Sequence, residues 1–387
     1  MNTVAIDSVE MVRRLVGFDT TSRGSNLALI EFARDYLDHY GVKSELIFDE
    51  TGNKANLYAT IGPAGVGGIM LSGHTDVVPV DGQEWHSDPF TVLAKDDRLF
   101  GRGTADMKSF IAVVLALLPT IAARRLRVPI HLAFSYDEEV GCRGARRLVA
   151  AIGQRPDRPL LCVVGEPTMM QPVTGHKGKR SFRCQVHGFE CHSALTHLGV
   201  NAIEAAAEMV AELKAMARKK REFGPFDPAY TPAYTTIQTG VIHGGTALNI
   251  VPKECSFDFE FRLLPGDDPE AGIAELRAFA AERLLPDMRA VRSEAAIAFE
   301  ELSAFPGLDT PDDAEITRLV ASLTGVNGTG KVAFGTEGGL FQQAGIATIV
   351  CGPGSIEQAH KPDEFVDLDQ IARCEKFIGR LFDWAAG

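Results

Sequence analysis

The sequence predicts an α/β protein in which a three-layer domain is interrupted by a smaller α+β domain. In the first part of the chain, nearly continuous apolar runs alternate with helical patterns, as expected for a largely parallel sheet buried on both faces. Between residues 179 and 302 the predicted order becomes β-α-β-β-α-β, which is that of a ferredoxin-like unit. The first pattern resumes after Pro306, so we predict one domain at 1–178 and 303–387, and an inserted domain at 179–302.

The individual elements are predicted from apolar periodicity. In the first domain, helices are expected at 7–16, 26–40, 108–123, 312–323 and 368–385, and strands at 55–61, 68–72, 130–135, 160–165 and 347–351. In the insert, strands are expected at 180–186, 234–241, 255–263 and 295–302, and helices at 201–219 and 269–284.

Length and composition limit the classes of protein to consider. A chain of 387 residues with 45% hydrophobic residues is long enough for two cores. The net charge of -12 argues against nucleic acid or an anionic membrane as a partner. Seven cysteines without a CxxC pair favour free thiols in a reducing compartment. No secretory signal is recognised, and the longest apolar run, 110–118, is too short to cross a membrane, so we expect a cytoplasmic protein.

Five short segments carry side chains of the kinds that bind metal ions. Four of them directly follow predicted strands, and such strand ends meet at one edge of an open α/β sheet. The side chains are His74 and Asp76, Asp106, Glu138 and Glu139, Glu166, and His360. From the residues alone, Glu166 could equally be an ordinary turn residue and His360 an ordinary loop residue, rather than metal ligands.

Imidazole and carboxylate ligands without thiolate suit zinc, cobalt or manganese. Two histidines and three carboxylates could hold two divalent ions if one carboxylate bridges them, and one hydroxide would then balance the charge. Such a hydroxide is the nucleophile that attack on an amide requires. Asp76 is placed to orient His74, and Glu138, next to the ligand Glu139, is free to carry protons.

In this order and spacing, the five segments resemble the di-zinc family that contains acetylornithine deacetylase, succinyl-diaminopimelate desuccinylase and aminoacylase. The resemblance covers essentially the whole chain, and segments 72–85, 334–337 and 351–364 resemble the acetylornithine deacetylase branch. It implies a zinc-aminopeptidase-like catalytic domain with two divalent ions, zinc or substituting cobalt. It also implies a cis peptide after Asp106 and a ligand set in which His74 and Glu166 hold one ion, Glu139 and His360 hold the other, and Asp106 bridges them.

The branch implies a reaction and a quaternary structure. The reaction is hydrolysis of N2-acetyl-L-ornithine to L-ornithine and acetate, a step of arginine biosynthesis, by a metal-bridging hydroxide with Glu138 as general base and acid. The inserted domain is expected to form a homodimer and to close as a lid, with His192 stabilising the oxyanion in the partner's site. The implied substrate contacts are Arg262, for the α-carboxylate, Asn249, Thr336 and Glu337, the last for the ornithine ammonium.

Other substrates remain open at this point. A succinyl-diaminopimelate desuccinylase, another N-acyl amino acid hydrolase or a dipeptidase would use the same chemistry. A metal-binding regulatory protein without catalysis would be expected to lack Glu138 or a ligand, and all of these residues are present.

Overall fold

The computed structural model describes residues 6–387, which divide into two compact units. The first unit comprises the chain up to Gly175, Leu308–Lys331 and Thr336–Gly387. The second comprises His176–Gly307 and Val332–Gly335, so it is inserted within the sequence of the first. None of the helices described between residues 6 and 387 is long and apolar enough to cross a membrane.

The helices and strands are numbered in chain order. The strands are β1 (Ser44–Phe48), β2 (Ala55–Ile61), β3 (Ile69–His74), β4 (Leu93–Lys95), β5 (Arg98–Phe100), β6 (Ile130–Ser135), β7 (Leu161–Pro167), β8 (Val173–His176), β9 (Gly178–His187), β10 (Thr236–Gly244), β11 (Glu254–Leu263), β12 (Ala296–Phe305), β13 (Leu308–Asp309), β14 (Gly330–Val332), β15 (Ala347–Gly352) and β16 (Phe365–Asp367). The helices are α1 (Ser8–Val16), α2 (Leu27–His39), α3 (Lys108–Ala116), α4 (Leu118–Ala122), α5 (Arg143–Ile152), α6 (Ala202–Phe223), α7 (Ala271–Phe279), α8 (Leu285–Val291), α9 (Glu315–Thr324), α10 (Gly338–Gln343) and α11 (Leu368–Ala386).

The first unit is built on a nine-stranded sheet. Its strand order is β1-β2-β6-β3-β7-β15-β8-β13, with β14 paired to β8. The four central strands β6, β3, β7 and β15 run parallel, whereas β1, β2 and β8 pair antiparallel with their neighbours. The expectation of a largely parallel sheet is therefore met only at its centre. The connection between β1 and β2 spans only residues 49–54, which is too short for the crossover that a parallel pair requires.

Helices lie against this sheet to form the layered domain. Helices α1, α2, α3, α9 and α11 contribute to one apolar core with β2, β3 and β6, while α5 and α10 contact each other and further strands. Asp7 caps α1 by accepting a hydrogen bond from the backbone N–H of Glu10 at 2.8 Å. The single helix expected at 108–123 is two helices, because Pro119 begins a new helical turn and cannot continue α3.

The inserted unit is a four-stranded antiparallel sheet covered on one face by helices. The strand order is β10-β11-β9-β12, and the chain order β9-α6-β10-β11-α7/α8-β12 matches the predicted β-α-β-β-α-β pattern. Alternate residues of β9 and β11 are buried beneath α6, among them Phe182, Phe257 and Phe259. The predicted helix at 269–284 begins as α7, continues through a π-helical turn at Ala280–Leu284, and extends into α8.

Candidate metal centre and active site

The parallel strands of the first unit bring the predicted ligands to one edge of the sheet. β3 ends at His74, which lies opposite Ser135 at the end of β6. On its other side, β3 is aligned with β7 so that Ser72 pairs with Val164, two residues before His74 and Glu166 respectively. In both strands, the hydrophobic run thus ends at the residue whose polar side chain is a candidate metal ligand.

Asp106 lies between two groups of candidate ligands. Its Oδ1 is 2.9 Å from Nε2 of His74, and that same nitrogen is 3.6 Å from Glu166 Oε1. Its Oδ2 is 3.4 Å from Nε2 of His360, which lies 3.1 Å from Glu139 Oε2. The two oxygens of one carboxylate therefore face two different histidine–glutamate pairs, the pairing implied for two ions with a bridging aspartate.

Burial and close neighbouring charges shift the pKa values of the side chains in this cluster. Burial raises the pKa of Glu166 well above its usual range, and the neighbouring charge of Asp106 raises it further. Although burial opposes it, the charge of Glu166 and the bond to Asp106 raise the pKa of His74 well above its ordinary value. Hydrogen bonds to Asp106 and Glu139 raise the pKa of His360 to about 10. The neighbouring carboxylates thus favour the positively charged form of both imidazoles.

The donor set fits divalent cations. The side chains of Asp106, Glu139 and Glu166 are only 7%, 8% and 5% exposed, and three carboxylates so close together require compensating positive charge. Nδ1 of His74 donates a hydrogen bond to the carbonyl oxygen of Asp76 at 2.9 Å. This bond leaves Nε2, which faces Asp106, as the nitrogen available to a metal ion.

Asp76 supports the site differently from its predicted role. Its carboxylate lies 3.6 Å from His74 Nδ1, farther than its own backbone carbonyl. The carboxylate instead accepts hydrogen bonds from the backbone N–H groups of Glu138 at 3.0 Å and Glu139 at 3.3 Å, and from the Ser22 hydroxyl at 2.7 Å. Asp76 therefore orients the histidine through its main chain and holds the Glu138–Glu139 turn through its side chain.

Glu138 lies beside the cluster without bonding to either histidine. An oxygen of Glu138 falls within 4.8 Å of ligand atoms of His74 and Glu166. Burial raises the pKa of Glu138 to about 8, and the charges of Glu139 and Asp106 add to this effect. A carboxyl group with this surrounding can both accept and donate a proton near neutral pH.

The backbone around Asp106 depends on glycine. Gly103 has a φ of +87°, and a Cβ atom there would lie 2.9 Å from Val77 Cγ1 and 3.0 Å from Lys108 Cδ. Any other residue would be strained in this turn. The peptide bond between Asp106 and Met107 is cis.

A model of the peptidase family M20/M25/M40 matches residues 70–383. The chain belongs to this family. The acetylornithine deacetylase of Photorhabdus laumondii is 35% identical to it over 391 residues, which cover 99% of this chain and 98% of that protein. The acetylornithine deacetylase of Myxococcus xanthus is 36% identical over 373 residues, covering 95% of this chain and 94% of that protein.

Solved structures of the M20 family share the fold. A metallo-carboxypeptidase from Sulfolobus solfataricus is 17% identical, with a TM-score of 0.75 over 98% of this chain and 99% of that one. A dinuclear metal-binding peptidase from Bacillus subtilis is 15% identical, with a TM-score of 0.63 over 97% of this chain and 96% of that one. The predicted fold class and the resemblance to this family of metal-dependent hydrolases are confirmed.

Two predicted substrate contacts of this M20 chain are buried. Both oxygens of Glu337 accept hydrogen bonds, from the Ser72 hydroxyl at 2.5 Å and the Ser135 hydroxyl at 2.7 Å. The Thr336 hydroxyl accepts a hydrogen bond from the backbone N–H of Gly338 at 2.9 Å, at the start of α10. Both side chains are fully buried. In this arrangement Glu337 joins β3 to β6, and its contacts favour a positioning role over the predicted contact with an ammonium group.

The remaining predicted residues of the M20 chain lie at opposite ends of the inserted sheet. His192 pairs with Ile250 through a β-bridge, and the backbone N–H of Ser193 donates to Asn249 at 3.1 Å, so His192 and Asn249 are neighbours. His192 follows the end of β9 and Asn249 follows the end of β10. Both of these strand ends lie beside the start of β11. Arg262 is near the other end of β11, where it binds Glu260 at 3.0 Å. Arg262 lies seven positions along the strand from Cys255, a distance of about 23 Å.

One contact of the active site was not predicted from the sequence. The Cys142 thiol, at the start of α5, donates to Glu138 Oε1 at 3.4 Å. In the sequence, only its four-residue spacing from Glu138 distinguishes this cysteine from the other six. All seven are free thiols, and six of them are buried.

Proposed function

We propose that the chain hydrolyses N2-acetyl-L-ornithine to L-ornithine and acetate, using two divalent ions held at the edge of the first unit. The observation that carries this proposal is the placement of Asp106 between two histidine–glutamate pairs. The choice of substrate is supported by relatives named acetylornithine deacetylase, which are 34–36% identical over nearly the whole chain.

The proposed ligands follow the two groups around Asp106. His74 and Glu166 would hold one ion, Glu139 and His360 the other, and Asp106 would bridge them. Zinc is the ion that we propose, with cobalt as a substitute, because nitrogen and oxygen ligands suit both. Bound there, the two ions would polarise the acetyl carbonyl and lower the pKa of water.

Glu138 is the residue to which we assign proton transfer. It lies beside the proposed ligands, and its main-chain N–H is fixed by Asp76 at 3.0 Å. Glu138 would take a proton from the attacking water and deliver it to the departing α-amine.

The inserted unit is proposed to form a homodimer and to supply residues to the partner's site. β10 is an edge strand whose Val241 and Ile242 are exposed, and Leu248 in the following loop is completely exposed. An unpaired edge with exposed apolar side chains favours association with another copy of the chain. His192 and Asn249 adjoin the end of this edge strand, whereas Arg262 lies toward the other end of the sheet, beside Thr236 at the start of β10. We therefore assign His192 and Asn249 to the partner's substrate, and we retain Arg262 as a proposed contact for the substrate α-carboxylate.

We further propose that the protein acts in the cytoplasm, in the biosynthesis of arginine. Its seven free thiols suit a reducing compartment. Ornithine, the product of the proposed reaction, carries the free α-amine that this hydrolysis releases.

The proposal is tested by a steady-state assay of metal-free protein reconstituted with zinc or cobalt. Release of free amine from N-acetyl-L-ornithine is compared with release from N-succinyl-L,L-diaminopimelate, with Glu138→Ala as the control. We expect metal-dependent kcat/KM to favour acetylornithine strongly and the variant to be inactive. Preference for the succinyl compound would replace the substrate while retaining the mechanism, and inactivity of the reconstituted protein on both would contradict the proposed function.

A further inference from the structure

Glu364 is a fully buried carboxylate outside the proposed ligand set, and it makes an unusual number of bonds. Its Oε1 accepts hydrogen bonds from three backbone N–H groups, those of Gly103 at 3.0 Å, Ala105 at 2.8 Å and Asp106 at 3.0 Å. Its Oε2 accepts a hydrogen bond from Arg102 Nη1 at 2.6 Å. Backbone N–H groups that converge on one anion fix the conformation of the turn that carries them.

That turn is the one from which the Asp106 side chain projects. The third donor to Glu364 is the N–H of Asp106 itself, so the carboxylate fixes the main chain of the bridging residue directly. The main-chain carbonyl of Glu364 also accepts a hydrogen bond from the Gly101 N–H at 2.9 Å. Glu364 follows His360 by four residues, so it ties the segment of one proposed ligand to the segment of another.

A second arm of the same network reaches His360. Arg102 Nη2 donates to Gln83 Oε1 at 2.7 Å, and Gln83 Nε2 donates to the carbonyl oxygen of His360 at 2.9 Å. The backbone of His360 has a φ of +64°, an unfavourable left-handed conformation for a residue with a side chain. A bond to its carbonyl oxygen helps to hold that conformation, and with it the direction of the imidazole.

We propose that Glu364, Arg102 and Gln83 form a positioning network that sets the separation and orientation of Asp106 and His360, and thereby the affinity of the site for both ions. The proposal rests on the function proposed above, because it assumes that these two residues bind metal. The three residues are positioning residues, since each acts through Asp106 or His360. Replacing a residue that hydrogen-bonds to a metal ligand typically lowers metal affinity by about 10- to 100-fold.

The first test is Glu364→Gln, which keeps the shape of the side chain and removes its charge. Metal-free protein is titrated with zinc by calorimetry and with cobalt by visible absorption, and the loaded enzyme is assayed with acetylornithine. We expect both dissociation constants to rise by about 10- to 100-fold. At saturating metal we expect kcat to fall while KM stays near that of the unaltered protein. A role limited to general stability would lower the melting temperature and leave both dissociation constants unchanged.

Asp258→Asn is the matched control. Asp258 accepts two hydrogen bonds from Arg183 at 2.8 Å each, on β11 of the inserted unit. The substitution therefore also replaces an ion-paired carboxylate by an amide, but in the unit that holds none of the proposed metal ligands. We expect its two dissociation constants to equal those of the unaltered protein.

Gln83→Ala provides a second variant in case Glu364→Gln does not fold. It removes the bond to the His360 carbonyl and leaves the three N–H bonds of Glu364 in place. We expect the affinity for one ion to fall by about 10-fold and the affinity for the other to fall by far less. Wild-type affinity for both ions in folded Glu364→Gln, or in Gln83→Ala if the first variant does not fold, would overturn the network alone. Failure of the unaltered protein to bind two ions would overturn the proposed function together with it.

Discussion

The proposed active-site residues of the two units differ in their surroundings. In the first unit, His74, Asp106 and Glu166 are buried, and Asp106 and Glu166 each lie within 3.6 Å of the same imidazole nitrogen of His74. In the inserted unit, His192 and Asn249 are exposed and are held by main-chain contacts between the two loops that carry them. The first group is assembled completely by one chain. The second group is presented to the solvent, where it is available to another molecule.

The difference has an energetic origin. Buried carboxylates are costly unless opposite charge or hydrogen bonds compensate them, so the ligands of the first unit must be organised together with their partners. An exposed histidine has no such requirement and needs only a loop that holds its position. Changes at the proposed ligands and at Glu138 should therefore alter ion binding or proton transfer, and changes at His192 should alter catalysis alone.

The largest effect is expected at Glu138. Glu138→Gln should lower kcat by about 10²- to 10⁴-fold, because the amide cannot carry a proton, while both ions remain bound. The adjacent change Glu139→Gln is the matched comparison and should weaken ion binding, because Glu139 faces His360 at 3.1 Å. Steady-state kinetics and zinc titration distinguish the two. Equal losses of zinc affinity in both variants would show that the neighbours do not have separate roles.

His192→Ala should have the next largest effect. We expect kcat to fall by about 10²-fold, as for loss of one oxyanion donor, without a change in the free energy of unfolding. Mixed dimers identify the subunit that supplies the histidine. A His192→Ala subunit paired with a Glu138→Gln subunit contains one site with an intact Glu138 and the partner's intact histidine, so mixing two inactive proteins should restore activity. Continued inactivity of verified mixed dimers would place His192 outside the partner's site.

The affinity for divalent ions should rise with increasing pH. The pKa of His360 is raised to about 10 and that of His74 is also raised, so the metal-free protein holds protons there at neutral pH. Ions must displace these protons, and affinity should rise by about tenfold per pH unit for each proton released. Zinc calorimetry at pH 6.5 and 7.5, in buffers of different ionisation enthalpy, measures both quantities. The same zinc affinity at both pH values, with no release of protons on binding, would contradict the proposed ligands.

The smallest effect is expected at Glu337. Glu337→Gln should lower the free energy of unfolding by about 1 kcal/mol, because two hydroxyl groups lose a charged acceptor, and KM for acetylornithine should change little. Ser135→Ala removes one of the same two bonds and should behave similarly. Denaturant unfolding and steady-state kinetics test this pair. A tenfold rise in KM for Glu337→Gln with unchanged stability would restore the predicted contact with the ornithine ammonium.

Much of the first unit was predictable because its strands and ligands are local in sequence. The strand at 130–135 was predicted at its observed bounds, and the α/β fold class is confirmed. The three-residue strands β4, β5 and β16, which form a small separate sheet, were not predicted, because segments of this length carry too little periodicity to identify. Helix α5 was also missed, since its pattern follows directly from the Glu138–Glu139 turn without a polar N-cap.

The sequence by itself determined which side chains are candidates for metal binding in this protein, since their types and order are fixed by the chain and most of them lie just after recognisable strands. Only the tertiary structure decided which groups meet. It paired both oxygens of Glu337 with serines, turned the Asp76 carboxylate to the Glu138–Glu139 turn, and placed Glu364 beneath Asp106. These contacts join residues distant in sequence, and their geometry follows from strand register and packing rather than from any local pattern.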